Sequence, residues 1–312
     1  MIYAGWLGSR GATIWLKYII QIWQTLWLLL RERPRVVLVM VPPIFAVLPV
    51  YLYCKLTGSR FTTDNHTAAF TMKRWQRLKF LHGWLEKYAA CNIVTNDKLL
   101  HLQRTWGVPA EKNFLIGDLP VQFSKIETPP FLNHSENGKP NNGFFAVTAV
   151  CSFNPDEPLD NILQAAAELP EINFYCTGKL KDAPSKILER KPKNVMFTDF
   201  LSVPHYAGLL KGSHGVMVLT TRDLTMQRGA YEAMALGTPI ITSDWPILRN
   251  TFANGSLFVD NSSQSIVQAV RQLQTNWPKF KTAIQAQRAQ RRAAWAEKEK
   301  ELRRLLSLPI NA

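Results

Sequence analysis

Carboxylates and cysteines are both scarce in this chain of 312 residues, which sets 23 Asp and Glu against 37 Lys and Arg and holds four Cys. Cys54, Cys91, Cys151 and Cys176 stand far apart, in no C-x-x-C pair and no Cys/His metal spacing. That excludes a metal site of the zinc type and a disulfide framework, and leaves four small buried hydrophobes. No dinucleotide G-x-G-x-x-G occurs at the start, where Gly5, Gly8 and Gly11 follow a G-x-x-G-x-x-G rhythm, so no nicotinamide or flavin site is expected. RNP, KH, zinc-finger and helix-turn-helix patterns are missing too, which argues against nucleic acid as the partner of a formal charge of +14. An anionic membrane surface or a phosphorylated ligand remains. Long apolar runs are interrupted: 13–30 by Lys17, Gln21 and Gln24, and 36–54 by Pro42 and Pro43. Both read as buried or interfacial segments and not as membrane spans. The opening residues lack the basic region, apolar stretch and cleavage site of a signal peptide, so a cytoplasmic address is expected.

What is present is a regular alternation of short β-branched runs with helical stretches, long enough for two α/β domains. In the first half, strands are expected at 2–4, 36–41, 61–63, 91–95 and 113–116, with helices at 13–30, 44–56, 71–89 and 97–106, the last capped by Asp97. Between 117 and 143 the periodicity stops in a run of Pro, Asn, Ser and Gly, the best boundary in the chain. Six strands follow, at 144–150, 172–176, 194–197, 216–219, 239–242 and 257–259. Helices at 159–169, 183–189, 203–210, 227–236 and 263–274 separate them, spelling a doubly wound parallel sheet. A charged helix closes the chain from 277 to 308. The expected division is 1–120, a linker 121–143, 144–290, and a C-terminal helix 291–312 that returns to the first domain or ends in solvent.

The stretch 215–250 organises this pattern. Val216 to Leu219 lead through a polar loop into a helix that ends at Gly237, placed for a left-handed cap, with Pro239 preventing its continuation. The helix start near Gln227 then falls at the carboxyl edge of the sheet, where anions bind. Arg228 stands there, and Glu232 one turn further on, where a carboxylate can accept sugar or ribose hydroxyls. The same i, i+4 pair also fits an ordinary exposed ion pair. In the first half, the run ending at Thr63 delivers Asp64, Asn65 and His66 to the corresponding edge of its own sheet.

The words Tyr231-Glu232-Ala233-Met234-Ala235-Leu236-Gly237-Thr238-Pro239-Ile240-Ile241 closely resemble the donor-site signature E-A-M-A-x-G-x-P-V-I of GT-B glycosyltransferases, the family 4 type in particular. That family carries an acidic residue eight positions before this Glu, where the present chain has Leu224 with Asp223 beside it. The resemblance implies two Rossmann-like domains facing a cleft and a nucleotide diphosphate sugar donor, UDP- or GDP-linked. It further implies a hydroxyl acceptor and no cofactor or catalytic metal. Asp64-Asn65-His66 resembles the family's D-x-H, whose histidine lies beside the transferred sugar and takes or stabilises the acceptor's proton; His66 and Asp64 become the catalytic candidates. The donor-binding candidates are Met226, Gln227, Arg228, Gly229 and Glu232 at the helix start, Ser152 in the loop 152–158, Gly178 and Lys179 after the second strand, and Phe200 after the third. Family members often place Arg and Lys in the first of these loops. This chain has neither there, which leaves the diphosphate to Arg228 and Lys179. The family normally opens with a complete strand, glycine-rich loop and helix ahead of the part matched here, so the chain is expected to start after the first strand. Taken apart, each loop also fits ordinary turn chemistry, with Gly178 supplying a positive φ and Asn154-Pro155 a turn.

Residues 71–89 combine Lys73, Arg74, Arg77, Lys79 and Lys87 with Trp75, Phe80 and Trp84, the chemistry of an anionic lipid interface and equally of a solvated helix with an apolar back. With the tryptophan-rich 13–30 helix it suggests a lipid-linked or polysaccharide acceptor reached by peripheral contact with the inner face of the membrane. A non-catalytic sugar-nucleotide-binding or scaffold subunit is the alternative, motivated by Leu224. His82, His101, His134, His205 and His214 lack any such context and are read as structural.

Overall fold

The computed structural model describes residues 14–117, 119–132 and 145–307. The expected strand at 2–4, its glycines and much of the linker lie outside these. The chain forms two compact units, Met1–Leu119 together with Ala294–Ala312, and Pro120–Ala293.

The first unit holds four parallel strands in the order β1 (Val36–Val41), β2 (Arg60–Asn65), β3 (Cys91–Val94) and β4 (Asn113–Leu115). Sequential order with parallel neighbours puts the right-handed crossovers on one face. The crossover helix Val47–Thr57 stops at Gly58, whose φ of 72° is the left-handed cap that lets the chain turn into β2. This face buries Val39, Val41, Tyr53, Phe61, Phe70 and Leu85. The opposite face is covered at β3 and β4 by Trp295 and Leu302 from the end of the last helix, Trp277–Leu305, and by Leu306 just beyond it. At β1, Leu38 and Met40 stay exposed.

Two expectations here need correction. The basic aromatic segment is not one helix over 71–89 but Lys73–Gln76 and Lys79–Glu86, because Leu78 leaves the helical region at φ −103° and ψ 16°. The break turns Trp75 into the core and leaves Phe80 80% exposed. The cap of the helix Asp97–Thr105 is Asn96, whose Oδ1 accepts from the Leu99 N–H at 3.0 Å, and not Asp97.

The second unit is a six-stranded parallel sheet ordered β10-β9-β8-β5-β6-β7, from β5 (Phe145–Ala149), β6 (Ile172–Cys176), β7 (Val195–Phe197), β8 (Gly215–Val218), β9 (Ile240–Ser243) and β10 (Ser256–Val259). The order reverses between β5 and β8, so the connections leaving them diverge to opposite faces and open a crevice at their carboxyl ends. One face packs Ile162, Leu163, Phe174, Val270 and Leu273; the other packs Val216, Ala230, Met234 and Phe252. The expected helix at 183–189 is shorter, Ser185–Glu189, because Pro184 fits the extended cap position in front of it. A further helix, Pro246–Thr251, follows β9.

Candidate functional site

A cavity of about 760 Å³ occupies the crevice of the second unit, and all its lining residues belong to that unit. β5 delivers Ser152, β6 delivers Gly178 and Lys179, and β7 delivers Phe200. The turn after β8 delivers Gln227, Arg228 and Gly229, with Glu232 one turn along. Eight of the nine donor-side candidates thus share one wall system. Met226 is the exception: it packs half-buried against the cluster around Ala230 and Met234, since an unbranched thioether gains more from that contact than from the wet cavity.

Local geometry explains how the backbone reaches the site. The helix Arg228–Leu236 begins at Gln227 in an extended conformation with no side-chain cap, so its first N–H groups are available to an anion. Gly229 brings that end against the sheet: a Cβ there would lie 2.9 Å from Val150 Cγ1 and 3.3 Å from Val218 Cγ2. Gly178, at φ 119°, is held against Phe153 and the Cys151 carbonyl, where a Cβ would meet both inside 3.0 Å. Phe153, Asp199 and Leu224 adopt positive φ without being glycine, each in a loop at this carboxyl edge. Such backbone costs on the order of 1 kcal/mol per residue, and the surrounding structure must hold it in place.

Arg228 and Glu232 do pair, Nε to Oε1 at 3.0 Å, as the ion-pair alternative anticipates, but within the cavity wall. The partners differ in setting: the Arg228 side chain is 82% exposed and that of Glu232 13%. Tyr206, which nothing in the sequence marked, donates its hydroxyl to Glu232 Oε2 at 2.7 Å. Burial, then the charge of Glu232 and the hydrogen bond to it, push the Tyr206 hydroxyl well above the usual tyrosine range, so it remains a donor. The carboxylate is therefore gripped from the inside by a neutral phenol and from the outside by an exposed guanidinium.

Other lining groups also escaped sequence reasoning. Asp156 accepts from Thr220 Oγ1 at 2.7 Å and faces Arg222 at 3.6 Å, which gives the cavity a cation the first loop lacks. Glu157 accepts the Ser152 N–H at 2.9 Å and the Asn154 N–H, which fixes the loop 152–158; burial raises its carboxyl and those N–H groups oppose the rise. Backbone N–H groups of Leu180 and Phe200 hold Asp199 below the usual carboxylate range. Lys179 lies over the Phe200 ring at 5.3 Å. The Cys151 thiol is kept well above its ordinary range by its hydrogen bond with Cys176 and by burial, so it is no nucleophile. Among the described residues no three His, Cys, Asp or Glu side chains are grouped so as to hold a metal ion.

His66 and Asp64 lie in the first unit, at the carboxyl end of β2. The His66 Nε2 is 3.6 Å from Asp64 Oδ2, and half the ring is exposed. Beneath them runs a buried network. Glu86 accepts from Thr63 at 2.8 Å, Asn65 at 2.7 Å and Gln103 at 2.7 Å, and His82 Nε2 lies 3.0 Å from it and 3.1 Å from Asn65 Oδ1. His82, read from the sequence as structural, thus anchors the residue between Asp64 and His66. His205 and His214 likewise serve packing, beside Glu127 and Phe145 respectively. His134 lies outside the described residues.

Residues 145–276 match the family model "Glycosyl transferases group 1". Solved structures resemble most or nearly all of the chain. Sucrose-phosphate synthase from Thermosynechococcus elongatus is 15% identical, with 96% of this chain and 80% of that one covered at a TM-score of 0.74. A glycosyltransferase from Rickettsia africae is 12% identical, with 98% and 84% covered and a TM-score of 0.71. HepE of Anabaena, solved in complex with UDP and glucose, is 15% identical, with 87% and 78% covered and a TM-score of 0.67. At these identities the structures establish the fold alone, the two-domain GT-B fold, and the segment 145–276, which contains every residue lining the cavity, is similar to the group 1 glycosyl transferases.

Proposed function

We propose that this protein transfers a sugar from a nucleoside diphosphate sugar, a UDP-sugar first of all and a GDP-sugar otherwise, to a hydroxyl acceptor. The observation that carries the reading is the convergence of Arg228, Glu232 and the uncapped helix start with the loops after β5, β6 and β7 on one cavity. UDP in HepE supports the choice of base. The leaving diphosphate is met by the N–H groups at Arg228 and Gly229, by the Arg228 guanidinium released from Glu232, and by Lys179 and Arg222. Glu232, prealigned by Tyr206, accepts hydroxyls of the donor, while Phe200 and the backbone at 198–201 hold the base. His66, oriented by Asp64, takes the acceptor's proton. In this reading fixed dipoles and cations take the place of a metal ion, and transfer continues in the presence of a chelator.

The acceptor side follows from the first unit. No described helix is long and apolar enough to cross a membrane. Trp23, Trp27, Phe80 and Trp84 are nonetheless exposed, among basic residues of the same segments. Peripheral contact with anionic lipid and a lipid-linked or polysaccharide acceptor, on the cytoplasmic side, fit that surface.

The test is donor turnover over a panel of UDP- and GDP-sugars with EDTA present. Turnover that disappears in both Glu232→Ala and His66→Ala supports transfer. Nucleotide binding without turnover in the wild type would instead make the protein a sugar-nucleotide-binding subunit. Sedimentation with phosphatidylglycerol vesicles at low salt checks the lipid contact; protein left in the supernatant removes it.

A further inference from the structure

A second cavity, of about 500 Å³, opens in the first unit at the amino-terminal edge of its sheet, the end opposite Asp64 and His66. The end of the helix Val47–Thr57, the entries to β2 and β4, and Leu305 enclose it. Three cationic side chains face it, Lys55, Arg60 and Lys112, and no carboxylate lines it. Their present partners are neutral. Arg60 donates to Ser307 Oγ at 2.8 Å, Lys112 donates to the Ala89 carbonyl at 3.0 Å, and Lys55 lies 5.9 Å from the centroid of the Tyr51 ring. Three like charges around one concave space repel one another, and an anion placed among them removes that repulsion while supplying acceptors to all three.

The rim adds a second kind of information. Tyr51 and Tyr88, both in the lining, pack with tilted rings at 4.9 Å, and Trp84 lies edge-on to Tyr88 at 5.4 Å. Tyr88 in the lining and Trp84 against it are both exposed, as are Leu52 and Leu56 on the helix that supplies Tyr51 and Lys55. A shelf of aromatic and aliphatic carbon next to a cationic recess matches a ligand with a phosphate at one end and an apolar body at the other.

We propose that this recess is a phosphate-binding site separate from the donor cavity, accepting a phosphate mono- or diester whose apolar part rests on the Trp84–Tyr88 shelf. It stands on the first unit alone and does not depend on the transfer reading. Two probes separate a lipid headgroup from free phosphate: water-soluble dihexanoyl phosphatidate and inorganic phosphate, each titrated calorimetrically into the full chain. The lipid is expected to bind at least about tenfold more tightly than phosphate, with affinity falling as salt rises. Equal affinities would uphold the phosphate recess, assign it to free phosphate and overturn the role of the Trp84–Tyr88 shelf. Lys55→Glu, the milder Lys55→Gln at the same exposed position, and Lys112→Met at a half-buried one are each expected to weaken binding by about tenfold or more. Arg228→Ala, in the other cavity, leaves it unchanged. Circular dichroism confirms that each variant is folded. Failure of both probes to bind at millimolar concentration, binding that survives Lys55→Gln and Lys112→Met together, or binding that is lost in Arg228→Ala would overturn the assignment.

Discussion

Glu232 is held by two groups of unequal worth, and a pair of double-mutant cycles measures the inequality. The hydroxyl of Tyr206, a largely buried residue, is 2.7 Å from the carboxylate, a hydrogen bond to a charged group worth about 1.5–3 kcal/mol. The Arg228 guanidinium lies 3.0 Å from the other oxygen, but with 82% of its side chain exposed the pair is worth only about 0.3–0.5 kcal/mol. Tyr206→Phe with Glu232→Gln should therefore show a coupling of about 1–2 kcal/mol, and Arg228→Ala with Glu232→Gln one below about 0.5 kcal/mol. Native-state hydrogen exchange of amides in β8 and in the helix Arg228–Leu236 reports the opening free energy of this unit directly. The functional consequence is that Arg228 can leave Glu232 for an anion at little cost while Tyr206 keeps the carboxylate aligned. A stronger coupling for the arginine pair, or none for the tyrosine pair, would refute that division of labour.

Gly229→Ala should destabilise by about 1–3 kcal/mol despite alanine's better helix propensity, because its Cβ meets Val150 at 2.9 Å; urea unfolding shows it, and Val150→Ala in the same chain should recover most of the loss. Glu86→Ala should cost about 3–5 kcal/mol by leaving His82, Asn65 and Gln103 without their shared buried acceptor, read as a shifted urea midpoint. His214 accepts the Ala146 N–H on Nδ1 at 3.1 Å and so is neutral when folded; burial first, then Lys281, lower its pKa from 6.5. Its contribution is thus complete above about pH 6.5 and is lost as pH falls toward and through the lowered folded value. The melting temperature should fall over that range, and more steeply than in His214→Gln.

The strands were the most legible part of the chain, and for a physical reason. Val36–Val41, an apolar run rich in valine, and Ile172–Cys176, largely buried, lie in parallel sheets between clear turn signals, and both match the expected bounds. Helices cut by a single backbone departure were not. Nothing in the composition of 71–89 marks Leu78 as the break, and Pro246–Thr251 is too short for a periodicity, although Pro246 in its first turn was a usable signal. At the site, residues within one motif were readable because a helix start fixes their spacing. Tyr206 was not, since its bond to Glu232 spans 26 positions and is made by tertiary packing of two helices. Arg222 was overlooked for the same reason: its partner Asp156 sits on the loop after a different strand.

The account rests on one claim, that the cavity of the second unit binds the diphosphate of a nucleotide at the start of the helix Arg228–Leu236. A crystal structure of the chain soaked with UDP tests it most directly. The expected result is phosphate oxygens within hydrogen-bond distance of the Arg228 and Gly229 N–H groups, Arg228 turned away from Glu232, and the Tyr206–Glu232 contact intact. UDP seated elsewhere, or bound with the Arg228–Glu232 pair still closed and no phosphate at the helix start, would contradict it.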